Sequence, residues 1–144
     1  MATTELSAPA PRLRLGQRLA LGVEIARAYL AIRALSSRRA LPDVVVALRD
    51  APALSGLPLP DPRVDGVRLG RAVMRALVLT PGGTKCLVRS LVLLRLLARR
   101  GIVDGALIIA VQPGPAVLDA HAWVELAGQP LLPPGDGHER LLAL

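Results

Sequence analysis

The stretch GGTKCLVRSLVLLRLLARRG, residues 82–101, holds the only cysteine of the chain, at the point where a glycine-bearing segment gives way to a helical pattern. Apolar side chains recur every three or four positions after Cys86 and cover more than one face, which is typical of a buried helix. These apolar positions are Leu87, Val88, Leu91, Val92, Leu93, Leu94 and Leu97. Arg99 and Arg100 place positive charge in the last turn, at the negative end of the helix dipole. Gly101 is the residue type that commonly follows a helix C-terminus.

The position of Cys86 leaves two interpretations open. A single cysteine is often a small core residue. A helix N-terminus, however, offers unpaired N–H groups and the positive end of the dipole, which stabilise a thiolate, and Lys85 and Arg89 add positive charge nearby. In the lead-in, Gly83 and Thr84 are candidate substrate-binding residues, because the glycines there permit close approach of a substrate backbone.

Downstream of this helix the periodicity changes to that of strands. Residues 105–111, GALIIAV, form a short buried run, and residues 118–126, LDAHAWVEL, alternate between two faces. His121 lies in the second run, close to the single Trp123, and imidazole is the side chain that exchanges protons near neutral pH. A turn at Ala127 and Gly128 and a brief third strand, QPLL, complete a small antiparallel sheet.

Upstream of residue 82, the pattern is helical. One helix is predicted from residue 13 to about 35, a second starts at Pro42-Asp43 with Asp43 as a cap, and a third runs from a cap at Asp65 to about residue 79. Residues 51–63 contain four prolines and form a connector. We therefore expect an α+β fold in one compact domain: a flexible tail over 1–11, a helical region over 12–80 and a catalytic core over 81–144.

Composition narrows the class of protein. The net charge of +7 comes mainly from arginine, which is compatible with an anionic partner or with arginines that simply solvate helix faces. One cysteine excludes an internal disulfide, and with two histidines it argues against structural zinc. The N-terminus has no secretory pattern and no apolar run is long enough to span a bilayer, so we expect a cytoplasmic protein.

Three segments together, CLVRSLVLLRLLARRGI, ALIIAV and AHAWVELAGQPL, resemble the transglutaminase-like cysteine peptidases of lasso-peptide biosynthesis, which remove the leader from a precursor peptide. The resemblance implies a Cys–His–Asp triad with Cys86 as the nucleophile and His121 as general base and acid. It implies a transglutaminase- or papain-like core with the cysteine helix packed on the sheet, and a reaction that needs no cofactor or metal.

The third member of the triad departs from the family pattern. The acidic residue expected about twelve positions after the histidine is replaced by Pro133. We favour Asp136, which a shifted loop could return to the site. Glu125 and Asp119 lie on the His121 face of the same strand, at a poor angle for gripping the ring. A backbone carbonyl or a water molecule could also orient the imidazole.

Two more aromatic side chains lie near the motif. Trp123 is expected to act as a lid or packing platform beside His121, and is a candidate substrate-binding residue. His138, between Gly137 and Glu139, is expected to be exposed.

The resemblance also implies partners. These are a separate winged-helix protein that recognises the leader, the precursor peptide itself and an ATP-dependent macrocyclase, with the N-terminal helices as a docking face. Other functions stay open from the residues alone: a transglutaminase or amidase with the same Cys and His, an inactive peptide-binding relative, or a basic nucleic-acid binder. For a nucleic-acid binder, the sequence has neither a set of aromatic residues for base stacking nor a recognisable motif, and we expect no nucleic-acid partner.

Overall fold

Helix α4 is the centre of the fold, and the other helices and the sheet pack around it. The structure is a computed structural model that describes residues 14–50, 52, 62–80, 85–114 and 119–144. Its helices are α1 (Leu15–Ser36), α2 (Leu41–Arg49), α3 (Pro62–Leu77) and α4 (Cys86–Ala98), and its strands are β1 (Ala106–Gln112), β2 (Asp119–Leu126), β3 (Gln129–Pro130) and β4 (Glu139–Ala143). The predicted α+β architecture is confirmed.

The broad apolar surface of α4 explains its central place. It contacts α1, α2, α3 and β2, and its buried side chains run from Ser90 to Ala98 with the single exception of Arg95. A helix that is apolar on most sides needs partners on most sides, and three helices and a sheet provide them.

The sheet is antiparallel with the order β3-β2-β1-β4. Strands β2 and β3 form a hairpin through Ala127 and Gly128, whose φ angles of 51° and 77° are those of a two-residue turn. Strand β1 pairs with β2 in a register that places Ala110 opposite His121. Strand β4 was not predicted from the sequence, since it is exposed along its length and shows no apolar alternation.

The predicted caps of α2 and α3 are wrong by one turn. The N-cap of α2 is Ala40, and Asp43 lies inside the first turn. Helix α3 already begins at Pro62, so that Asp65 is likewise in its first turn. Proline is tolerated at the start of a helix because its missing N–H has no partner there, and acidic residues in the first turn favour the dipole.

Helix α1 has two apolar faces, of which one is packed. Its buried residues are Ile25, Ala28 and Ile32. The other face carries Leu15, Leu19, Val23 and Leu30, which are 52–74% exposed; we call these four residues the α1 apolar stripe. The helical periodicity of the sequence includes both sets and does not say which one packs.

Two arginines link distant elements. Arg100, after α4, binds both carboxylate oxygens of Glu24 on α1, at 2.8 and 2.9 Å. Arg49, at the end of α2, donates to the carbonyls of Gly105 and Leu144 at 2.8 Å each.

The predicted tail over 1–11 and most of the connector over 51–63 lie outside the described residues. Among the helices that are described, none has the length and apolarity to cross a membrane.

Candidate active site

Cys86 is the first residue of α4 and is half-buried. Its Sγ accepts a hydrogen bond from the backbone N–H of Ala122 at 3.4 Å, and the Ser90 hydroxyl donates to its carbonyl at 2.8 Å. The first turn has no acidic residue and its N-cap, Lys85, makes no side-chain capping bond. The sulfur therefore lies at the positive end of the helix, where a thiolate is stabilised.

The geometry of β2 explains how the sulfur reaches this N–H group. The carbonyl of Val124 accepts a bond from Leu131, on the β3 side of the sheet. Backbone groups alternate in direction along a strand, so those of Ala122 point to the same side. Strand β3 pairs only with residues 125 and 126 of β2, which leaves the N–H of Ala122 open to Cys86. Cys86 thus contacts the main chain of β2 at the residue that directly follows His121.

His121 is oriented by a backbone carbonyl. Its Nε2 lies 2.9 Å from the carbonyl oxygen of Pro133. A carbonyl can only accept, so Nε2 must bear the proton, and the neutral ring then has its lone pair on Nδ1. Pro133 is followed by Pro134, and two consecutive prolines restrict the backbone that presents this oxygen. The contact with Pro133 therefore selects the Nε2–H tautomer of a neutral His121.

The structure does not bring the Asp136 carboxylate to His121. Asp136 is exposed and meets the site only through its carbonyl, which lies 3.0 Å from Nδ1 of His138. In the described part of the chain, the polar contact of the His121 ring is with Pro133. The position at which the sequence resemblance implies an acid thus contacts the ring through its main-chain carbonyl.

Glu125 and Trp123 form a buried group beside the histidine. Glu125 is 7% exposed and accepts from Nε1 of Trp123 at 2.9 Å and from Arg140 at 2.6 Å. Trp123 is 3% exposed, and its ring centroid is 5.9 Å from that of His121. This burial favours the packing role expected for Trp123 and leaves it little surface for substrate. Glu125 is ion-paired rather than available to the imidazole.

Two other expectations concern the neighbourhood of the site. The prediction that His138 is exposed is wrong, because its side chain is 8% exposed. The two candidate substrate-binding residues Gly83 and Thr84 lie outside the described residues. Within the ranges that the structure describes, no group of three side chains is arranged to hold a metal ion.

A sequence profile of the transglutaminase-like superfamily matches residues 19–143. The chain belongs to the transglutaminase-like superfamily. The match begins inside α1, well before the cysteine helix, so the N-terminal helices are part of the family domain. No curated protein and no solved structure matches the chain significantly.

Within this transglutaminase-like domain, the sequence allowed a backbone carbonyl as the partner of the His121 ring but did not identify that of Pro133. The N–H of Ala122 and the carbonyl of Pro133 are main-chain groups, which no residue type announces. The packing of His138 is reflected in the sequence only by Gly135, where a Cβ atom would lie 2.4 Å from Nδ1 of the ring.

Proposed function

We propose that this protein is a cysteine peptidase that removes the leader from a lasso-peptide precursor. The observation that supports the proposal is the contact of a helix-terminal thiol with the strand that bears the histidine: Cys86 Sγ accepts from the N–H of the residue after His121, and Nε2 of His121 lies against the carbonyl of Pro133. Membership of the transglutaminase-like superfamily supports cysteine-based acyl chemistry. The sequence resemblance to the lasso-peptide leader peptidases supplies the substrate class.

The reaction begins with transfer of the Cys86 thiol proton to Nδ1 of His121. The thiolate attacks the last carbonyl of the leader, and the oxyanion is stabilised by N–H groups at the start of α4, among them that of Cys86. The imidazolium returns its proton to the leaving amine, which frees the core peptide and leaves the leader as a thioester on the sulfur. His121 then activates water, and hydrolysis releases the leader carboxylate.

The neutral carbonyl of Pro133 can support this cycle in place of a carboxylate. In a Cys–His pair the proton moves before or as attack begins, so the ring needs orientation more than it needs a negative partner. The hydrogen bond at 2.9 Å provides the orientation. A carbonyl stabilises an imidazolium less than a carboxylate does, since charge-assisted bonds are the stronger ones. We therefore expect a slower enzyme than one with the complete triad.

The partners that we propose are the precursor peptide, a leader-recognition protein and the macrocyclase that takes the freed core. The α1 apolar stripe supports docking of the recognition protein, because four exposed aliphatic side chains on one helix face are unusual for a surface without a partner. Next to it, a cavity of about 200 Å³ opens between α1 and α3, lined by Ala26, Tyr29 and Leu77 among others. Arg18 and Arg27 lie on either side of the stripe, so the docking surface of the recognition protein should be acidic.

Mass spectrometry of a candidate precursor tests the function. The precursor is incubated with this protein, with and without the recognition protein. We expect two products whose masses sum to that of the precursor plus one water. Incorporation of an added amine instead of water would mean a transglutaminase, and loss of ammonia from a side chain would mean an amidase.

A further inference from the structure

The loop between β3 and β4 approaches His121 at two points. Its first end presents the carbonyl of Pro133 to Nε2. Its other end carries His138, whose ring centroid lies 5.6 Å from that of His121. The contact with Pro133 depends on the position of this loop, and Pro133 itself is exposed. A group that fixes the loop therefore also fixes the imidazole.

His138 is held at both ring nitrogens. Nδ1 lies 3.0 Å from the carbonyl of Asp136, so this nitrogen bears a proton. Nε2 is buried and lies 3.3 Å from the carboxylate of Asp119, without the alignment of a hydrogen bond. The imidazole is thus placed between the carbonyl of Asp136 and the carboxylate of Asp119.

The chain makes room for this ring at Gly135. A Cβ atom there would lie 2.4 Å from Nδ1 of His138 and 2.7 Å from its Cγ. Any side chain at this position would displace the imidazole or the backbone. The absence of a side chain at Gly135 thus allows the His138 ring to occupy this position.

Asp119 and His121 are two residues apart on one strand, whereas Pro133 and His138 are the ends of one loop. The pair of Asp119 with His138 consequently ties the loop to the strand that bears the catalytic base. We propose that His138 is a positioning residue. Its contact with Asp119, which we call the clasp, holds the loop against β2 and so keeps the carbonyl of Pro133 in contact with Nε2 of His121. This proposal rests on the proposed role of His121, and goes beyond it by assigning a function to the second histidine.

The contact between Asp119 and His138 is partly open to water, because the side chain of Asp119 is 68% exposed. Pairs of this kind add little to stability. The clasp should thus affect the geometry of the site far more than the melting temperature. This difference separates a positioning role from a structural one.

The rate of alkylation of Cys86 by iodoacetamide measures the reactivity of the site without any knowledge of the substrate. Cys86 is the only thiol of the chain, so the modified mass is unambiguous. We measure the rate from mildly acidic to alkaline pH for the wild type, Asp119→Asn, His138→Ala and Gly135→Ala. Glu139→Gln, a change at the neighbouring exposed position, is the matched control, and His121→Ala reports on the catalytic pair itself.

We expect each clasp variant to be alkylated about tenfold more slowly near neutral pH, as for the loss of a charge-assisted contact. The double variant Asp119→Asn/His138→Ala should be no slower than either single one, since both remove the same interaction. Asp119→Glu, which keeps the charge, should restore most of the rate. Glu139→Gln should match the wild type.

A wild-type rate in Asp119→Asn and His138→Ala, with a slow His121→Ala, would overturn the clasp and leave the proposed function intact. A wild-type rate in His121→Ala as well would overturn the catalytic pair. If circular dichroism shows that His138→Ala or Gly135→Ala does not fold, Asp119→Asn decides, because its exposed side chain can change without loss of the core.

Discussion

The carbonyl oxygen of Pro133 lies 2.9 Å from Nε2 of His121, twelve residues after it in the chain. The sequence resemblance to the leader peptidases implies an acidic residue at about this separation, and here a main-chain group makes the contact. Because every residue type has a carbonyl, the contact can persist through a change of side chain.

Asp136→Ala should have no effect on peptidase activity or on the alkylation of Cys86. The Asp136 carboxylate is exposed and meets the site only through its main chain, which alanine retains. The rates of both reactions, measured beside wild type, check this. A loss of about a hundredfold, the scale of a triad acid, would restore Asp136 as the third catalytic residue.

Pro133→Ala should lower activity only about threefold. Alanine keeps the carbonyl that orients His121, while the added backbone freedom costs well under 1.4 kcal/mol, the value of a tenfold change. His121→Ala, by contrast, should lower activity by about a hundredfold or more, since it removes the general base. Initial rates of leader release compare the two. Equal losses would mean that the proline ring, not its carbonyl, supports the site.

Gly70→Ala and Gly22→Ala should change stability in opposite directions, although both lie inside helices. A Cβ at Gly70 would be 2.4 Å from the carbonyl oxygen of Leu131, whereas the space around Gly22 is open. We expect Gly70→Ala to lose about 1–3 kcal/mol of unfolding free energy by overpacking, and Gly22→Ala to gain about 0.5–1 kcal/mol from helix propensity. Urea denaturation measures both, and a stabilising Gly70→Ala would refute the close approach of Leu131 to α3.

Removal of Glu24 should destabilise the fold by about 3 kcal/mol, because it leaves the guanidinium of Arg100 largely buried without its bidentate partner. Arg27→Ala, which changes an exposed charge on the same helix, should stay within about 0.5 kcal/mol of wild type. The difference in unfolding free energy between the two variants, measured by urea denaturation, reports on the contact of Glu24 with Arg100 that links α1 to α4. Similar values for both variants would show that this link does not stabilise the fold.

Leu19→Ser should abolish most of the stimulation of cleavage by the recognition protein, by at least about fivefold, as for the loss of an apolar anchor from an interface. Leu19 belongs to the α1 apolar stripe and is 65% exposed, and Leu141→Ser, on β4 with 69% exposure, is the matched control. Alkylation of Cys86 should be unchanged in both. If Leu141→Ser and Leu19→Ser respond alike, the stripe is not the docking face.

The α+β fold and the candidate residues Cys86 and His121 could be proposed from the sequence, but the particular main-chain groups that contact them could not. A cysteine at a helix start and a histidine within a strand also have ordinary structural roles, so the pattern alone left their function open. The carbonyl of Pro133 and the N–H of Ala122 exist in any residue, so only the folded chain selects them. Strand β4 lacks apolar alternation because it is exposed, and it forms by pairing its backbone with β1. The two faces of α1 are both apolar, and only packing distinguishes them.

The most direct test of the central claim is the mass of the intact enzyme after rapid acid quenching of a reaction with precursor and recognition protein. The wild type should show an adduct of leader mass less one water, located on Cys86 by fragmentation, and Cys86→Ala should show neither adduct nor cleavage. Leader release by Cys86→Ala at the wild-type rate, or an adduct on another residue, would contradict the account.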